Sequence, residues 1–189
     1  MKELCELFTV EKVNSSPARF DMKKLEAING DKIRALTIDE FLTWALPFLI
    51  KAQTISGTPD EIALVKAALP IIQERIVMLS EIPAMLSFLF AKDFVVSPEN
   101  VGKVSDVASK AVLLRVMKEL ESINEWSHIN IEAALRTSLI EEMGLKPRIA
   151  FGVVRVATTG GTVSPPLFES MELLGKAEAL ARISSALIL

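Results

Sequence analysis

Apolar residues in this chain recur at three- and four-residue intervals, and the polar positions between them carry helix-capping signals rather than the strict alternation of strands. Thr37-Ile38-Asp39-Glu40 reads as a capping box, in which a threonine hydroxyl and a glutamate three residues on each accept the other's backbone N–H. It opens a helix with Phe41, Leu42, Ala45 and Leu49 on one face, and Pro47 should bend it. Thr58-Pro59-Asp60-Glu61 is a second box with proline at the first helical position, followed by Ile62, Val65, Leu69 and Ile72. Pro70 is expected to interrupt or restart this helix. Beyond it Ile72, Ile76 and Leu79 face inward, Gln73-Glu74-Arg75 form a polar edge, Ser80 reads as a cap, and Pro83 to Phe90 completes a first bundle.

Upstream, Glu3 to Phe8 carries a short helix signal, and Asp21 caps another short helix with Leu25 and Ile28, ended by Asn29-Gly30. Downstream, Lys92-Asp93 and Ser97-Pro98-Glu99-Asn100 mark a boundary. A long helix is predicted over 104–123, with Val107, Ala111, Leu114 and Met117 as its buried face. Asn130 should cap a helix over 131–142 that Gly144 terminates. Pro147 opens the next helix, with Ala150, Val153, Val154 and Ala157 at helical spacing, and Gly160-Gly161 stops it, since glycine takes left-handed φ at no steric cost. Ser164-Pro165-Pro166 makes a stiff corner. Leu167, Phe168, Met171 and Leu174 form a stripe closed by Gly175, and a last amphipathic helix runs over 177–187. Val153–Val156 could pass for a strand, but its flanks are helical. The fold class read from this pattern is all-α: two small helical bundles stacked end to end, over 38–96 and 97–189, preceded by short helices within 1–37.

Half of the 189 residues are hydrophobic, enough for substantial cores, and with no tyrosine and two tryptophans the interior must be filled by Leu, Ile, Val and Ala. The longest apolar runs, near 41–50 and 82–91, are about half the ~20 residues of a spanning helix and contain proline, so they read as core helices. Charged residues directly after Met1 give no secretory leader pattern. The single Cys5 rules out an internal disulfide framework and fits a reducing cytoplasm. A net charge of −3 argues against a general nucleic-acid binder, leaving room only for one that reads a few bases with local arginines.

Catalytic chemistry is not evident. One His (His128) and one Cys cannot build a four-ligand zinc site, and no Walker loop or GxGxxG is present. His128, in a predicted loop beside Trp126, reads as a surface or capping residue. The carboxylates fall on solvated helix faces.

The motifs are more specific. Residues 153–160, VVRVATTG, match a PLRxALTG pattern with Val153-Val154 in place of Pro-Leu and Thr158 in place of Leu, and 164–175 continue as SPPLFESMELLG. Ser16-Pro17-Ala18-Arg19-Phe20-Asp21, with Lys24-Leu25 and Asn29, matches SPARFDxxKL. In that order and at that spacing, the two segments resemble the C-terminal anticodon-binding region of bacterial glutamyl-tRNA synthetases, class I aminoacyl-tRNA synthetases, over essentially the whole chain. The resemblance implies a helix cage preceded by the end of the stem-contact region. It implies recognition of the anticodon of glutamate tRNA in support of ATP-dependent glutamate attachment by the catalytic domain of the same synthetase. The HIGH-like and KMSKS-like signatures are absent, so this chain is expected to be inactive alone and to hold no cofactor, with ATP and glutamate bound by the catalytic domain. It is expected to be a cytoplasmic monomer without membrane contact.

By that resemblance Arg155 is the loop-facing arginine, and Ser164, Pro165 and Leu167 form the corner that touches anticodon bases, Pro165 and Leu167 as an apolar shelf. Arg75 stands where the family distinguishes glutamate from glutamine anticodons at the last base. Arg19, Lys146 and Arg148 are candidate tRNA-backbone contacts; two cations at the start of a helix oppose its dipole, which a polyanion would compensate. Arginine suits such work because its planar fork pairs with two acceptors while stacking. The alternative is a helical protein–protein interaction module without RNA binding, in which Arg155 makes a salt bridge.

Overall fold

The computed structural model of the chain describes Glu6, Phe8, Thr9 and residues 21–189. The helix expected over Glu3 to Phe8 falls largely outside these residues, and Cys5, Arg19 and Phe20 lie wholly outside them. The described residues are helical throughout, with no strand among them: α1 Met22–Arg34, α2 Ile38–Lys51, α3 Pro59–Gln73, α4 Ile82–Phe90, α5 Val107–Ser122, α6 His128–Leu135, α7 Pro147–Thr159, α8 Leu167–Leu174 and α9 Lys176–Leu187. Short 3-10 turns at Leu79–Glu81 and Pro98–Lys103 precede α4 and α5, and a π-turn, Arg136–Glu142, extends α6.

Both capping boxes form. Thr37 and Glu40 at α2, and Thr58 and Glu61 at α3, exchange side-chain and backbone hydrogen bonds. Glu61 also accepts from the N–H groups of Ser56 and Gly57, at 3.0 and 2.8 Å, tying the incoming loop to the helix start. Pro47 and Pro70 both sit inside continuous helices. Pro70 does not interrupt α3; its ring lies on the exposed side while Ala68, Leu69 and Ile72 hold the helix to the core.

Three expected ends fall elsewhere. Gly30 does not end α1. It is buried, and a Cβ there would come within 3.2 Å of Val77 Cγ1 and the Arg34 guanidinium, so the glycine serves close packing and the helix runs on to Arg34. Ser80 makes no cap bond; Glu81 accepts from the N–H groups of Val77 and Met78 instead, at 3.1 and 2.7 Å. Asn130 lies inside α6, whose cap is Ser127, and its amide donates to Glu125 O. His128 is therefore the first helical residue rather than a loop residue, with Nδ1 2.7 Å from Glu172 Oε2 on α8.

The face chosen for α5 is also rotated. Val107 and Leu114 are 88% and 60% exposed, and Val112, Leu113, Val116 and Leu120 are buried instead. Two apolar stripes compete on this helix, and the one with the larger contiguous aliphatic surface faces α7 and α9.

The described residues bury two apolar cores. Phe41, Ala45, Leu49, Val65, Leu69, Ile72, Ile76, Ile82 and Leu86 form the first, with Ile33 of α1. Val112, Leu113, Val116, Leu120, Ile131, Leu135, Leu139, Val154, Ala157, Leu167, Met171 and Ile183 form the second. They meet along α8 and around the end of α7. Leu173 of α8 packs on the first core. The connection at 94–97 folds over the end of α7, where Ser97 donates from its N–H and Oγ to Gly160 O at 3.2 and 3.0 Å.

Candidate nucleic-acid interface

The VRVATTGG segment is the second half of α7 and its stop. Val153, Val154, Val156 and Ala157 are buried, which turns Arg155 to the opposite, half-open side. Gly160 takes φ +82°, and a Cβ there would come within 3.2 Å of Val95 O, so glycine is required for both the left-handed turn and the close approach.

The chain then returns through Ser164-Pro165-Pro166 beside Arg155. Arg155 Nη1 donates to Ser164 Oγ and, at 2.8 Å, to Pro165 O. Its Nε and Nη2 form no hydrogen bond among the described residues, so one edge of the fork is anchored and the other is open. Burial, and then repulsion from Arg75, hold the Arg155 guanidinium below the usual arginine value. The second cause places Arg75, which follows the end of α3, within electrostatic reach of α7. Arg75 is exposed and makes no ion pair among the described residues, neither with Glu74 nor with Glu81.

The structure thus brings together Arg155, Ser164, Pro165 and Arg75. Leu167 joins them only as support. It is 4% exposed and belongs to the second core, and Pro165 is buried as well, so neither is an open apolar shelf. In sequence, proline and leucine at a corner look the same whether they face solvent or seat a helix; here they seat α8. The open part of the turn is Thr162 and Val163.

Lys146 and Arg148 are exposed at the start of α7, which has no side-chain cap. Arg148 and Arg155 lie two turns apart on one face, and with Gly152 between them they line an open cleft of about 870 Å³. The opposite wall is Lys103, Asp106 and Ser109, at the entry to α5. Ser109 donates from its hydroxyl and its backbone N–H to the Asp106 carboxylate, which holds that carboxyl below the usual aspartate value. Lys103 Nζ donates to Asn100 Oδ1 at 2.7 Å. Sequence reasoning missed Lys103 and Gly152. Arg148, Gly152 and Arg155 at i, i+4 and i+7 were the available signal. Arg19 lies outside the described residues, so its role as a backbone contact stays an expectation.

Residues 40–187 match the family model of an anticodon binding domain. The chain belongs to the anticodon-binding domain family. It is 44% identical over 190 residues to a glutamate–tRNA ligase of Saccharopolyspora erythraea, covering 99% of this chain and 38% of that one. It is 46% identical over 186 residues to the glutamate–tRNA ligase of Leifsonia xyli subsp. xyli, covering 96% and 38%. A crystal structure of a glutamate tRNA ligase from Elizabethkingia meningosepticum superposes with a TM-score of 0.77 at 18% identity, over 99% of this chain and 36% of that one, which shows the shared all-α fold. The chain therefore spans less than two fifths of the length of these relatives. The glutamyl-tRNA synthetase resemblance drawn from two short motifs holds over the whole anticodon-binding chain.

Proposed function

We propose that this chain reads the anticodon loop of glutamate-specific tRNA as part of a glutamyl-tRNA synthetase. In this role it supports ATP-dependent attachment of glutamate by a catalytic domain of the same enzyme, where ATP and glutamate bind; the chain itself holds no cofactor. One observation carries the reading. Arg155 is fixed by Ser164 and Pro165 through a single nitrogen and offers its remaining N–H groups beside the exposed Arg75 and Arg148. A guanidinium pre-oriented by one edge loses little freedom when its other edge pairs with a base or phosphate. The unpaired cations gathered around it favour an anionic or acceptor-rich partner.

In this proposal Arg155 and Arg75 contact unstacked bases, Arg75 at the last anticodon position, while Lys146 and Arg148 contact the backbone. The enzyme is taken to act in the cytoplasm as a monomer. Among the described residues no helix is long and apolar enough to cross a membrane.

The test is titration of the chain with the anticodon stem-loop of glutamate tRNA and with an anticodon-swapped control. Arg155→Ala is expected to lose about tenfold or more in affinity, the range for one arginine–base contact, while keeping its helical CD. Equal affinity of wild type for the two loops would defeat the proposal, as would wild-type binding by the Arg155→Ala chain.

A further inference from the structure

Arg182 of α9 takes no part in the cleft, yet it is only 3% exposed and every one of its guanidinium nitrogens is engaged. Nη1 donates to Thr158 O at 2.9 Å, Nη2 to Phe88 O at 2.9 Å, and Nε to Glu178 Oε1 at 2.6 Å. The plane lies over the Phe94 ring, 4.1 Å from its centroid. Phe88 is in the last turn of α4, in the first bundle. Thr158 is in the last turn of α7, in the second, and Phe94 is in the connection between them. Carbonyls in a last helical turn have no partner within the helix and carry the negative end of its dipole. One guanidinium therefore neutralises two helix ends from different bundles.

A buried cation is costly unless all its donors are satisfied. If either helix end moves away, a donor and a carbonyl are left bare together. The arrangement holds α4 and α7 in one relative placement. It adds to the packing of Leu173 against the first core and to the 94–97 connection over the end of α7. Each further contact at a separate point restricts rotation about the others. The placement matters because α7 carries Arg155, one turn before Thr158, while the first bundle carries Arg75 beyond α3.

We propose that Arg182 is a positioning residue for anticodon reading: by clamping α4 to α7 it fixes the separation between Arg75 and Arg155. The inference rests on the RNA-reading function proposed above. Its own geometric content, a fixed placement of the two bundles, can be measured without RNA.

The experiment uses the full 189-residue chain in a Cys5→Ser background, with spin labels at Lys51→Cys on α2 and Lys118→Cys on α5, both exposed. Arg182→Met removes every donor but keeps the apolar stem. Arg182→Lys keeps the charge on a single nitrogen that cannot hold both carbonyls in the guanidinium geometry. Distance distributions are recorded well below the melting temperature. In parallel, affinities are measured for two stem-loops differing only at the last anticodon base.

The expected result is a broadened or shifted distance distribution in both variants. Discrimination between the two loops should fall by about tenfold, the factor one arginine–base contact supplies. Arg182→Lys keeps the test readable if Arg182→Met does not fold. A variant that melts earlier but keeps both the wild-type distribution and the wild-type discrimination would overturn the proposal, because it would reduce Arg182 to a stability residue. Failure of the wild-type chain to tell the two loops apart would instead strike the RNA-reading function, and the distance distributions would still decide whether Arg182 sets the placement.

Discussion

Gly152 occupies the middle of α7, where glycine costs roughly 0.5–1 kcal/mol relative to alanine. No packing explains it, because a Cβ added there would meet no atom within 4 Å. The bare backbone is instead the floor of the cleft, between Arg148 and Arg155. Gly152→Ala should therefore stabilise the free chain, raising Tm by about 1–4 °C for a chain of this size. It should also weaken stem-loop binding, because a ligand seated on the floor would meet the new methyl group. Calorimetric melting and one RNA titration check both halves, and a variant that gains stability with unchanged affinity would show that no ligand reaches the floor. Arg75 calls for a different measurement. Exposed and without an ion pair, it can be replaced by alanine with little effect on Tm. Arg75→Ala is expected to leave overall affinity within severalfold while bringing loops that differ at the last anticodon base to near-equal binding.

At the scale of single elements, the legible features were those written in local chemistry. Thr37 with Glu40, Thr58 with Glu61, and Gly160 specify helix ends through bonds that span only a few residues, and each forms as read. Features set by distant neighbours were not legible. Gly30 resembles a stop until Val77 is seen beside it, and α5 carries two apolar stripes until α7 and α9 choose between them. The only local signal for Arg182 is its pair with Glu178 one turn back, which any exposed helix could carry; the partners that bury it, Phe88 and Phe94, are about 90 residues away in the chain. The caps also set an acid limit. Hydrogen bonds from the Thr37 backbone, then its hydroxyl, hold the Glu40 carboxyl below the usual glutamate value, and the Thr58 backbone does the same for Glu61. A carboxyl whose folded value is depressed adds stability that is present above its unfolded value, about 4.3, and is lost as pH falls through the folded one. The Glu40→Gln, Glu61→Gln double variant should melt below wild type at pH 7, and the gap should narrow as pH falls below the unfolded value of about 4.3. A gap that stays constant on acidification would contradict charge-dependent capping. Gly160→Ala places a side chain at φ +82° against Val95 O, and should cost about 1–2 kcal/mol or more, measured by urea unfolding.

For the whole molecule, a net charge of −3 means that long-range attraction cannot drive the chain onto RNA. Binding must come from the few cations that geometry collects: Arg155, Arg75 and Arg148, with Lys103 across the cleft partly engaged by Asn100. This number can be turned into a salt response. Each phosphate neutralised on a single strand releases condensed counterions, giving a slope of log affinity against log salt of about −0.7 per contact. Lys146 and Arg148, together with Lys103, are the cations placed on the backbone, and they predict a slope of about −2. That is shallow for a nucleic-acid binder, yet distinct from the near-zero slope of an apolar helix groove. Arg148→Ala, which touches the backbone in the proposed arrangement, should make the slope shallower by about 0.7 and weaken all loops alike. Arg75→Ala should alter base preference more than slope, because its partner is a base edge. Titrations of wild type and both variants between about 50 and 200 mM salt separate these terms. A slope near zero for wild type would mean that the arginines around the 164–167 corner serve packing or a protein partner. A slope much steeper than about −2 would mean that further cations engage the RNA. Arg19, the remaining backbone candidate from the sequence, is the first to replace in that case.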